Sequence, residues 1–399
     1  MKRLNNLLTG VFLLLLTVLP CGCGNQTQQG DNDTATEGRN SHRNMERVAE
    51  FHAPDYFNEL YDNAEMRYAF KGSNQEEFTA WQEEFRPKLM EKLGVTKIAR
   101  QLEGFVPTAK KLDSEELGYA RRERWVIWTE PNVPLPFIIM FPKEERERYT
   151  LVISPHGHDK NTEAYAGIYH SAEEEKENLE EEYDISVQAV KRGCIAIAPT
   201  TRGFGKTRTP KDIERDITSS CRTLMLHDLL VGRTPIGDRV WDVMKLIDWS
   251  LEKLPVDPEK IVVYGNSGGG TVTLFAGACD ERITASMPSA YFCTFTGSIG
   301  SLSHCECNYI PGILEYGEMA DIAGLTAPRL FCATNGRYDA IFPAEESEKA
   351  FAHLQEIYKA AGAPDNCELY FGEGGHRVYR DGAYDFLEKH HFVEKDNNK

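Results

Sequence analysis

Residues 265–269 read Gly-Asn-Ser-Gly-Gly and follow the apolar run Ile261-Val262-Val263-Tyr264. A serine at the end of a strand, boxed by glycines, suits nucleophilic chemistry. The G-x-S-x-G pattern holds its hydroxyl on a cramped strand-to-helix turn above a sheet. Gly265 and Gly269 fill the flanking slots and Asn266 sits inside the turn, where the strained backbone leaves no space for bulky neighbours. An alkyl hydroxyl is a weak nucleophile, so Ser267 requires a histidine to accept its proton. A carboxylate must then hold that histidine's tautomer.

In a strand-turn-helix serine site of this kind the chain order is serine, acid, histidine. Asp339, in Asn335-Gly336-Arg337-Tyr338-Asp339, follows the strand expected over Arg329 to Ala333. His376, in Gly372-Glu373-Gly374-Gly375-His376, follows another expected over Glu368 to Phe371. Rival histidines His353, His390 and His391 fall on expected helices, and Asp365 in a turn is the rival acid. The tetrahedral intermediate needs two donors for its oxyanion. Gly268 supplies one backbone N–H, and the loop Ser154-Pro155-His156-Gly157-His158 offers the other from His158 or Gly157. His156, His158 and Asp159 are three conceivable metal ligands crowded on one loop with no matching outer shell, and His304-Cys305-Glu306-Cys307 reads as thiols packed in a turn or paired with distant cysteines rather than as a metal set, so no metal is expected. Acyl transfer through serine needs neither a metal nor an organic cofactor.

The elements that must position these residues alternate along the chain. Candidate strands cover Trp125 to Thr129, Phe137 to Phe141, Leu151 to Ser154, Cys194 to Ala198, Lys260 to Tyr264 and Ile283 to Met287, besides the two above. Helical patterns cover Leu179 to Arg192, Arg239 to Leu254, Gly268 to Cys279, Ala344 to Ala361 and Ala383 to His391. Short apolar strands between amphipathic helices predict an α/β fold, a mostly parallel central sheet with helices on both faces. Ser267 then stands at the carboxyl end of a central strand, where ligands bind in such sheets. Upstream, Phe78, Trp81, Phe85, Leu89 and Leu93 recur at helical spacing and Gly94 ends the pattern, so residues 46–120 read as a helical cap segment. The aromatic stretch from Tyr291 to Tyr316 reads as a lid or pocket wall, and Cys194 and Cys332 as small buried hydrophobes.

With this constellation on the chain, Trp125 to Phe392 resembles the α/β-hydrolase superfamily, in its acetyl xylan esterase and dienelactone-hydrolase-like branch. The resemblance rests on Ser267, Asp339 and His376, on the His156-Gly157 loop, and on Pro199-Thr200-Thr201-Arg202-Gly203-Phe204-Gly205. It implies that Arg202 and Gly203 order the site from beside the nucleophile; by residue type alone, Arg202 reads as a structural ion-pair residue. Phe204, Gly268 and Arg377 stand where familiar acetyl xylan esterases tend to carry Gln, Gln and Glu. The expected activity is a serine esterase acting on acylated carbohydrate. The alternatives are a serine peptidase of the prolyl oligopeptidase type and a carbohydrate-binding lipoprotein without catalysis. The peptidases usually carry a β-propeller ahead of the catalytic domain, which the upstream segment is too short to form.

Residues 1–22 read as a signal peptide, with Met1-Lys2-Arg3 ahead of the apolar run Leu7 to Leu19 and Cys21 or Cys23 available for lipidation. Residues 23–45 are polar and read as a disordered tether, residues 121–393 as the catalytic domain and 394–399 as a tail. The expected location is outside the cytoplasm, periplasmic or held at a membrane by the N-terminal lipid, with plain secretion as the alternative. A formal charge of −17 excludes a nucleic-acid partner, which calls for a basic face.

Overall fold

The computed structural model describes residues 51–158 and 160–394. Residues 1–50, on which the expected signal peptide and tether fall, Asp159 and the last five residues lie outside the described residues. The architecture below is that of the unit Pro54–Lys399.

Nine strands among the described residues form one sheet: β1 (Thr108–Glu116), β2 (Ala120–Glu130), β3 (Val133–Pro142), β4 (Tyr149–Ile153), β5 (Ile195–Pro199), β6 (Val256–Asn266), β7 (Ala285–Ser289), β8 (Leu330–Gly336) and β9 (Cys367–Gly372). Their order across the sheet is β1-β2-β3-β5-β4-β6-β7-β8-β9. The run from β5 to β9 is parallel, and β1, β2 and β3 add an antiparallel edge. The mostly parallel sheet is therefore present with a mixed margin. β2 and β3 are the hairpin expected from Trp125 to Phe141.

Alternate residues of the central strands enter different cores, the two-residue period of a strand buried on both faces. Ile261 and Val263 of β6 pack with Phe85, Leu89, Leu246 and Phe275, whereas Val262 and Tyr264 pack with Ile185, Val190 and Tyr384. The first core lies under the helices Gln75–Leu93, Pro235–Lys253 and Gly268–Cys279, and the second under Ile185–Lys191 and Arg380–Lys389.

Helix Gln75–Leu93 starts where the Asn74 side chain accepts from Glu77 N, and it stops at Gly94, whose φ of 86° suits glycine. It covers the core: Arg86 donates to Ala278 O at 2.6 Å and Gln82 to Ala327 O at 2.7 Å. The N-terminal segment is not wholly helical, since it contains β1. Thr108-Ala-Lys-Lys-Leu-Asp-Ser-Glu-Glu116 lacks apolar alternation because it is an exposed edge strand, and its charges pair across the ladder, Arg122 with Glu115 and Lys111 with Glu123. The helix expected over Leu179 to Arg192 is two helices, Ala172–Glu180 and Ile185–Lys191, broken where Glu182 takes a φ of 61° and buries Tyr183. No helix among the described residues is long and apolar enough to cross a membrane.

Candidate active site

β6 delivers Ser267 directly: the strand ends at Asn266 and the helix Gly268–Cys279 begins two residues later, with Ser267 alone between them. Ser267 has φ 56° and ψ −119°, a region that costs a non-glycine residue roughly 1–3 kcal/mol and persists only where its surroundings over-determine it. Ser267 N donates to Ser289 O of β7 at 2.8 Å, which locks the turn to the neighbouring strand. Asn266 is buried below it, its Oδ1 accepting from Ser289 Oγ at 2.8 Å. The glycines permit close approach to the loop after β4. A Cβ on Gly269 would stand 1.9 Å from Pro155 O, and one on Gly157 would stand 2.7 Å from Asn266 O and 3.0 Å from Gly268 N. This contact sets the Gly157–His158 backbone beside the first amide of the helix.

The acid and the histidine come from the carboxyl ends of β8 and β9, in the same parallel run as β6. Two backbone bonds tie their loops together, Arg337 N to Gly372 O at 2.9 Å and Tyr338 N to Gly374 O at 2.8 Å. Asp339 is buried; its Oδ1 accepts from the amides of Ile341 and Phe342 at 2.9 and 3.2 Å, and its Oδ2 meets His376 Nδ1 at 2.7 Å. With Nδ1 donating to that carboxylate, Nε2 is left as the basic nitrogen. Phe342 stacks on the imidazole, centroids 5.7 Å apart and planes 18° apart, and restrains its rotation.

Ser267 and His376 line one cleft of about 180 Å³. Tyr291, Ile341 and Phe342 form its apolar side, while Ser303, His304 and Asn308 bring polar atoms from the segment between β7 and β8. That segment is the aromatic stretch expected as a wall, and it supplies part of one. Gly268 and His158 border the same cleft. A larger cavity of about 430 Å³, lined by Arg146, Arg192 and Lys260, opens at the amino ends of β4, β5 and β6, away from this chemistry.

The supporting residues are arranged behind the cleft. His156 is buried; its Nδ1 faces Gly157 O at 2.8 Å and its Nε2 accepts from Thr201 N at 3.1 Å. Burial, helped by the positive charge of Arg239, pushes its pKa down to about 4, so it serves as a neutral strut between the loops after β4 and β5. Arg202 does not line the cleft. It lies buried with Nε and Nη2 on the two oxygens of Asp242, at 2.9 and 2.5 Å, and Nη1 on Glu130 and Asp238 at 2.7 and 2.9 Å. Gly203, at φ 95°, lets the chain turn away above that cluster.

The rival residues are engaged elsewhere: His353 bonds Asp321 at 2.7 Å, and His390 packs on Phe386. His156 and His158 do not point to one centre. His158 Nε2 instead faces Cys221 Sγ at 3.5 Å and Cys307 Sγ at 3.7 Å, and Cys305 completes a cluster in which all four ligand atoms lie within 4.8 Å of one another. Sequence reasoning missed Cys221 and Phe342 altogether. Cys221 carries no local spacing motif, and Phe342 follows Asp339 as an ordinary apolar residue.

The sequence model of the Abhydrolase family matches residues 52–376. Among curated proteins the chain is similar to the "putative hydrolase YtaP" of Bacillus subtilis (strain 168), 26% identical over 195 residues, which are 47% of this chain and 62% of that protein. Among solved structures it is similar to a "putative acetyl xylan esterase" from Bacteroides fragilis NCTC 9343, with a TM-score of 0.66 and 18% identity over 88% of this chain and 92% of that one. A glucuronoyl esterase from Solibacter usitatus superposes with a TM-score of 0.58 and 12% identity over 79% and 94% of the two chains. At these identities the superpositions speak for the fold alone. The family match spans both the elbow serine and the loop histidine, and by it the chain belongs to the Abhydrolase family.

Proposed function

We propose that the protein is a serine esterase that removes small acyl groups from carbohydrate through an acyl-enzyme on Ser267. The observation that carries this reading is the relay from the Ile341 and Phe342 amides through Asp339 to His376, ending in a cleft shared with the strained Ser267. Asp339, with both oxygens occupied by donors, holds the tautomer in which His376 Nε2 is the basic nitrogen that accepts the Ser267 proton. As Ser267 Oγ adds to the ester carbonyl, the N–H groups of Gly268 and of His158 or Gly157 receive the developing oxyanion. His376 then returns the proton to the departing sugar hydroxyl. A water molecule activated by the same nitrogen releases the acid and restores the serine. The cleft's size and its apolar side of Tyr291, Ile341 and Phe342 suit a short acyl group, with Ser303 on its polar side toward a sugar hydroxyl.

The sugar esterases among the structural relatives support the substrate class, and the N-terminal apolar run supports export with a lipid anchor. Hydrolysis of an aryl acetate, acetylated xylan and an aminoacyl amide by wild type and Ser267→Ala tests the reading. Ester cleavage should fall roughly 1,000-fold or more in the variant. Equal rates would remove Ser267 as nucleophile, and cleavage of the amide alone would replace the esterase with a peptidase.

A further inference from the structure

We infer that His158, Cys221, Cys305 and Cys307 form a structural zinc site that clamps the oxyanion loop to the wall of the cleft. The four residues come from three separate parts of the chain. His158 lies in the loop after β4, Cys221 opens the helix Cys221–Val231, and Cys305 and Cys307 belong to the segment between β7 and β8. Their ligand atoms nevertheless converge within 4.8 Å of one another.

The spacing is that of ligands around an ion. A tetrahedral zinc with Zn–S near 2.3 Å and Zn–N of about 2.0–2.1 Å sets two sulfurs roughly 3.8 Å apart, and sulfur and nitrogen about 3.6 Å apart. The distances here are 3.5 Å between Cys305 and Cys307 Sγ, and 3.5 and 3.7 Å from His158 Nε2 to Cys221 and Cys307 Sγ. All eight cysteines among the described residues are free thiols. Three sulfurs and one imidazole nitrogen complete the coordination of zinc with no position left for water, which makes the site structural and keeps it apart from the serine chemistry.

The surroundings provide the charge balance. Arg239 is buried, with Nε bonded to Arg202 O at 3.0 Å and Nη2 to Cys221 Sγ at 3.3 Å. Three thiolates around a divalent ion leave one excess negative charge, and the guanidinium against the sulfur offsets it. Phe204 packs edge-on against the His158 ring at 5.0 Å and screens that side from water. Cys221 and Cys307 are buried, whereas Cys305 and His158 are more open and give the ion a path inward. The position explains what the ion is for. Gly157 touches the nucleophile turn one residue before His158, and Asn308, one residue after Cys307, accepts from Thr271 Oγ1 at 2.8 Å.

The test is metal content, which does not depend on the esterase reading. The full chain, produced with zinc in the medium and purified without chelator, should carry one zinc per chain by plasma mass spectrometry. Cys305→Ser and Cys307→Ser should each lower retained zinc at least tenfold. Wild type stripped with a chelator and loaded with cobalt(II) should show thiolate-to-cobalt charge-transfer absorption and the visible bands of a tetrahedral ion. That measurement needs no variant and stands even if the serine variants fail to fold. Metal-free wild type would overturn the site, whether its thiols all alkylate freely or its intact mass shows that two have joined as a disulfide. Stoichiometric iron in place of zinc would also overturn it.

Discussion

Asp339 illustrates how much of the candidate site's geometry rests on one carboxylate. One oxygen is held by two backbone amides and the other by His376, so the side chain has a single orientation. In Asp339→Asn the amide oxygen can keep the two backbone donors, which turns the NH₂ toward His376. The imidazole must then accept at Nδ1 and carry its proton on Nε2, the wrong tautomer for a base. A loss of about 10,000-fold in kcat with an unchanged fold is expected, measured by aryl acetate turnover beside circular dichroism. Retained activity would show that another group orients His376. At this scale the sequence was informative, because Ser267, Asp339 and His376 each follow a readable apolar strand, and Ser267 and His376 stand in glycine-rich turns. Phe342 was not legible, since stacking on an imidazole leaves no pattern along the chain.

Between elements, the loop after β5 is anchored by charge. Arg202 joins β2 through Glu130 to the helix Pro235–Lys253 through Asp238 and Asp242, and Arg233 adds a second cation on Glu130. Arg202→Met leaves buried carboxylates without their partner and should destabilise the protein by roughly 3–5 kcal/mol in denaturant unfolding. A change below 1 kcal/mol would mean that Arg233 alone compensates the cluster. The resemblance to a known branch singled out Arg202 and Gly203, but the carboxylates that meet Arg202 lie 36 to 72 residues away along the chain. Strands buried on both faces were likewise legible from their continuous apolar runs, whereas β1 was not. An exposed edge strand carries charges where a core strand carries valine and isoleucine.

Across the unit Pro54–Lys399, the residues ahead of β1 are packed onto the sheet and its helices rather than suspended beside them. Asp321 is one joint: its Oδ1 accepts from Phe70 N at 2.9 Å and meets His353 Nε2 at 2.7 Å. The hydrogen bond to Asp321, against the opposing effect of burial, raises the His353 pKa above its ordinary 6.5, with Asp321, Glu318 and Glu356 adding attraction for the proton. A histidine whose folded value is raised contributes stability that is fully present below the unfolded value. That contribution is lost as pH rises through the folded one. The stability difference between wild type and His353→Gln should therefore be larger at pH 6 than at pH 9, as read from urea midpoints. The opposite trend would mean that the pair is not ionic in the folded state. The sequence by itself determined the class of fold, the glycine-boxed turn at Ser267 and the chain order of the candidate residues Ser267, Asp339 and His376, because strand period, glycine punctuation and turn chemistry are local. Only the tertiary structure decided that Cys221 stands beside His158, Cys305 and Cys307, and that Arg202 turns away from the cleft to three carboxylates. Those contacts join residues tens of positions apart, and the packing of the sheet and its crossover helices, rather than any short spacing, brings them together.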